Sequence, residues 1–186
     1  MKGNLVNEYF RYFNKRIYDR LMKLFITYFY NVRFFLPNMV PVSTAYGDPA
    51  WYHGDSYDKS RCFVDQNGVM NGIREESFLM SEAEEPKEMC QGNPCPYSGK
   101  YPHCQFLDAY RAHLAKIDFD ALIAELSRTA DDVKKALRFD GEPIVVLLVH
   151  EKPDNPCSER QAIIDLFKSH GVKLDEWTKE QSGIIF

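Results

Sequence analysis

Nowhere in the 186 residues is an apolar run long enough to span a bilayer, and no secretory leader with a cleavage site is recognisable. The chain therefore reads as cytoplasmic. Its five cysteines, an odd number, are expected to be reduced or metal-bound rather than paired. Also missing are a Gly-x-x-x-x-Gly-Lys-Ser/Thr loop, a Gly-x-Gly-x-x-Gly turn after a strand, a Gly-x-Ser-x-Gly elbow and a His-Glu-x-x-His helix. Common nucleotide, hydrolase and zinc-protease chemistries thus have no support. Net positive charge is lacking as well, and a total of −4 argues against a broad nucleic-acid surface. The basic charge that exists is concentrated in residues 1–24, where Lys2, Arg11, Lys15, Arg16, Arg20 and Lys23 face only Glu8 and Asp19.

What is present is the composition of one soluble globular domain, 45% hydrophobic and 27% charged. Its organising stretch is Ile144–Trp177. Ile144 to Val149 is an unbroken β-branched and aliphatic run, the pattern of a strand buried on both faces of a parallel sheet. A polar turn from His150 to Pro156 follows, then Cys157. A helix comes next, with Ser158 and Gln161 as a capping-box pair, Ile163, Ile164, Leu166 and Phe167 on one face, and Gly171 as its stop. Lys173 to Trp177 returns as a short strand. This β-α-β unit predicts a three-layer α/β fold with a mostly parallel sheet and helices on both faces.

Ligands of open parallel sheets bind at the carboxyl ends of strands, beside helix N-termini. Cys157 sits there, with Arg160 one turn into the helix, a setting that biases a thiol toward thiolate. The site expected from sequence therefore has Cys157 as nucleophile or ligand contact and Arg160 holding an anionic, possibly nucleotide-like, small molecule. Glu151, Glu159 and His150 are the acid, base or orienting groups. The plainer alternative is that Cys157 only packs against Ala162 ahead of the cap.

Elsewhere, Asn7 to Leu24 has Phe10, Phe13, Ile17, Leu21 and Leu24 at helical spacing among its basic residues. It reads as an N-terminal amphipathic helix (an extension, residues 1–22) that packs on its own domain, on a protein partner or on a second copy, or tracks nucleic acid. Residues 23–178 form the α/β domain and 179–186 a tail. Leu24 to Tyr30 and Met39 to Ser43 are the first two strands. Ser43, Ser158 and Trp51, in the loop after the second strand, are the expected ligand contacts. Residues 55–104 read as an insertion. Its Cys90, Cys95, His103 and Cys104 lie in a run dense with Gly and Pro that cannot build a hydrophobic element, and thiolates with imidazole are what a structural zinc takes, the fourth ligand being His103, the upstream Cys62 or Cys157. Three unrelated loop thiols are the plain alternative. From Gln105 one helix is expected, a second capped by Asp118, and a third opened by Thr129 with Asp131 and Asp132.

Glu151-Lys152-Pro153, the Cys157–Arg160 turn and the ending Gly171 to Trp177 resemble the C-terminal signature of the domain of unknown function 488 family. Phe25 to Tyr30, Val40 to Thr44, Gly47, Pro49 and Trp51 are similar to that family's opening. The likeness covers both ends of the domain and not its middle. Where family members usually carry Cys-His-Arg, this chain has Cys157-Ser158-Glu159-Arg160, so any role of that His is lost or moves, with His150 as the candidate. The resemblance implies a fold and a site rather than a reaction. Two functions follow as expectations: a small enzyme or ligand-binding domain centred on Cys157, or a non-catalytic, zinc-stabilised interaction protein using its N-terminal helix.

Overall fold

A computed structural model describes residues 22–49, 52, 63–64, 70–86, 104–155 and 157–182. The expected N-terminal helix, Trp51, Cys90, Cys95, His103 and the last four residues lie outside them.

Five parallel strands form the main sheet: β1 (Lys23–Tyr28), β2 (Met39–Ser43), β5 (Ile73–Arg74), β6 (Ile144–Val149) and β7 (Asp175–Glu176). Their order is β5-β2-β6-β1-β7. A two-stranded antiparallel ribbon pairs β3 (Phe63–Val64) with β4 (Met70–Asn71). The aliphatic run at 144–149 is the central strand, in register with β1 from Lys23↔Ile144 to Tyr28↔Val149 and with β2 from Met39↔Ile144 to Ser43↔Leu148. Val145 to Val149 are fully buried because both faces are covered.

Three α-helices pack on one face: α1 (Gln105–Leu114), α2 (Phe119–Leu137) and α3 (Arg160–Ser169). Tyr110, Leu114, Leu122, Leu126, Val133, Ile163 and Phe167 meet Val145, Leu147 and Val149 there. Helices were expected on both faces, but no α-helix among the described residues covers the other one. Phe29 and Val32 of the 3-10 turn Phe29–Phe34 lie on it with Tyr52 and Trp177, against Val146 and Leu148. The turn Phe29–Phe34 between β1 and β2 lies on this face, and α1, α2 and α3, which come between β5, β6 and β7 in the chain, lie on the helical one. A single crossover hand requires that division.

Other expectations change in detail. Ile73–Arg74, placed by sequence in the insertion, is an edge strand of the main sheet. The first strand stops at Tyr28 and becomes a 3-10 turn. Asp118 caps α2 through Ala121 N–H, 3.1 Å, but Thr129 starts nothing: α2 runs through it, because Leu126, Ala130 and Val133 continue one buried stripe. Tyr52 is fully buried, with its hydroxyl 3.0 Å from the carbonyls of both Pro41 and Ile73. It bridges β2 to β5. Gly72 donates to the Tyr52 carbonyl at 2.7 Å, and a Cβ at Gly72 would overlap the Tyr52 ring. Only glycine allows that approach.

Candidate active site at the β6–α3 turn

Connections leaving β1 and β2 go to one face and that leaving β6 to the other, which makes the carboxyl end of β6 the switch point of the sheet, the place where open α/β sheets take ligands. Asn155 shapes the turn. Its side chain accepts from Cys157 N–H at 2.9 Å and its carbonyl from Ser158 N–H at 3.3 Å, while Asn155 N–H donates to Lys152. This fixes Cys157, half-buried, just before α3. Ser158 is buried and its Oγ accepts from Arg160 N–H at 3.2 Å, a capping contact. Gln161 does not complete a capping box, since its amide donates to Asp165. The far end of α3 closes as read from sequence. Gly171 has φ +74° and donates to Lys168, and Val172 donates to Phe167.

Arg160 turns inward. Its side chain is 8% exposed, Nη1 lies 2.5 Å from both carboxylate oxygens of Glu176, and Nη2 donates to the Glu151 carbonyl. The guanidinium thereby ties α3 to β7 and to the end of β6, and its charge is already paired. Burial raises the Glu176 carboxyl, which Arg160 and Thr27 pull back down.

Glu159 is pushed up to about 8 by burial first and then by the neighbouring Glu151 charge, with its own N–H and Arg160 opposing. Glu151 Oε2 is buried with no hydrogen-bond partner among the described residues. The raised Glu159 carboxyl beside it holds its proton into the neutral range. Tyr110 from α1 is 2% exposed and its hydroxyl has no hydrogen-bond partner among the described residues. Burial, the Glu159 charge and Tyr46 raise it well above its ordinary value, so it stays a neutral phenol.

On the β2 side, Ser43 is fully buried and its hydroxyl donates to Asp48, which also accepts from Arg74 at 2.7 Å. Ser43 Oγ further accepts from Ala45 N–H. It braces the loop from beneath and offers no hydroxyl to a ligand. His150 is exposed, stacks obliquely on Phe29 and contacts the Gly47 carbonyl through Nε2, joining this loop to the end of β6.

The structure thus brings Cys157, Glu151, Glu159 and Arg160 to one turn, with His150 at the strand end. Cys104 lies elsewhere, buried at the N-cap of α1. Among the described residues no three of His, Cys, Asp or Glu gather as a metal would need. None of the described helices is long and apolar enough to cross a membrane. Sequence reasoning missed Glu176 and Tyr110. Glu176 carried one signal, a carboxylate on a short strand placed next to the site's helix by the β-α-β unit. Tyr110 carried none, being one aromatic in a helical stripe. Comparison with protein-family models, with curated proteins and with solved structures finds no match to this chain.

Proposed function

We propose that the chain is a small enzyme centred on the β6–α3 turn, with Cys157 as nucleophile and Glu151 and Glu159 as an acid–base pair. The observation carrying this reading is the Glu159 carboxyl, raised to about 8 by burial and the neighbouring Glu151, two residues from a half-buried thiol at the carboxyl end of the central strand. A group that titrates near neutral pH both gives and takes protons at ordinary pH, the condition for general acid–base work.

The same surroundings select the ligand. Glu159 stands beside Glu151 and beside a guanidinium, Arg160, already paired with Glu176. That balance disfavours an anion at the turn, and Arg160 serves as a positioning residue rather than an anion clamp. The reacting group of the substrate is accordingly a small polar one without net negative charge.

Alkylation of Cys157 with neutral iodoacetamide and anionic iodoacetate, followed by peptide mass spectrometry, tests this. The rate ratio of the two reagents is expected to exceed that for free cysteine several-fold in favour of the neutral one. A ratio equal to that of free cysteine, or tilted toward iodoacetate, refutes the reading. Infrared difference spectra between pH 6 and 9 should show a carboxyl proton lost through about 8 and missing from Glu159→Gln.

A further inference from the structure

Away from this turn, His113 on α1 is placed between two acceptors. Its Nε2 lies 2.8 Å from the Ser77 carbonyl and its Nδ1 3.2 Å from Glu84 Oε2. A carbonyl oxygen never donates. Glu84 does not donate either: hydrogen bonds from Lys116, then from the Ser81 amide and hydroxyl, hold its carboxyl at about 2, so it is ionised throughout the working range. Both contacts are therefore hydrogen bonds only when both ring nitrogens carry a proton, which is the imidazolium. A neutral ring has one N–H, and its other nitrogen then points a lone pair at an oxygen.

The two acceptors belong to the segment between β5 and the chain leading to α1. Phe78 and Met80 anchor this segment in the core, while Ser77 and Glu84 flank them on the polar side. We propose that His113 is a pH-released latch, which as imidazolium holds residues 77–84 to α1 by two hydrogen bonds and on deprotonation gives up one of them. Among the described residues few groups face it. Tyr110 stacks on the imidazole at 6.2 Å, and Lys116 bonds the far oxygen of Glu84 at 2.7 Å. Tyr46 donates to the Met80 carbonyl and lies beside Glu85; burial, with Glu85 next, pushes it up to about 12. Neither Glu84 nor Tyr46 changes charge between about pH 5.5 and about pH 8.5, so neither makes or breaks these contacts in that range.

Amide hydrogen exchange over residues 77–85, corrected for chemical exchange and read alongside the His113 imidazole NMR titration, tests the latch. Protection is expected to fall about ten-fold or more as the imidazole loses its proton, the factor that loss of one charge-assisted hydrogen bond implies. His113→Gln should show the released level at every pH. Glu84→Gln, which keeps the helix residue, should lose the pH dependence, and Lys116→Met should retain it. Protection that stays constant across the imidazole titration overturns the proposal, as does His113→Gln keeping the wild-type dependence.

Discussion

Replacing Arg160 by Met removes a guanidinium that is 8% exposed and leaves its partner Glu176, 28% exposed, without its charge partner. The Glu151 carbonyl loses its donor as well. Breaking a buried pair from one side costs about 3 to 5 kcal/mol. Because Glu176 keeps part of its side chain in water, the lower end applies, about 3 kcal/mol, which for a chain of this size is a fall of roughly 10 °C in Tm. The loss should shrink toward acid pH, since Glu176 without Arg160 is raised further and takes up a proton, relieving the buried charge. Arg160→Met with Glu176→Met together should lie within about 1 kcal/mol of the wild type, an apolar pair standing in for the ionic one. Urea titration followed by circular dichroism, done for both single variants and the double, measures all of these. A single-variant cost below about 1 kcal/mol, or a double variant as unstable as the sum of the singles, refutes the assignment of Arg160 as the structural clamp of the turn.

Glu159 sets a pH dependence of its own. Its folded value of about 8 lies above its ordinary 4.5, so the native state keeps a proton that the unfolded chain gives up. Stability falls as pH rises between those values, by at most about 1.4 kcal/mol per pH unit, and Glu159→Gln should flatten the decline in pH-dependent melts. Gly171→Ala, at φ +74°, should cost about 1 kcal/mol in denaturant midpoint at unchanged slope. Arg138, which ends α2 at φ +53°, is the converse case: Arg138→Gly should raise stability by up to about 1 kcal/mol, and a fall would contradict the strain argument. Asp118→Ala removes the cap of α2 and should lower stability by about 1 kcal/mol, read from the same titrations.

The parts of the fold that sequence disclosed are those coded by local chemistry. Ile144 to Val149 is legible because a wholly apolar run of six cannot sit anywhere but between two layers. Asp118 and Gly171 are legible because each satisfies backbone groups within its own turn. Thr129 misled for the complementary reason: a capping residue speaks only of its own turn, and the buried stripe on either side of it decided the outcome. The site divides similarly. The position of Cys157 follows from where a parallel strand meets its helix. The inward commitment of Arg160 does not, because Glu176 sits on an element whose place beside β1, not β6, depends on the whole strand order. The raised carboxyl of Glu159 depends on burial, which is a property of the assembled layers and of no single residue.

The outermost strands of the sheet, β5 and β7, are two residues long, against five or six for the three inside them. A margin that brief, with acidic Asp175 and Glu176 forming one side of it, gives an approaching polypeptide almost no ladder to continue. The apolar strands that make this core cohesive are thereby kept from templating the fibrous self-association to which their composition would otherwise incline them.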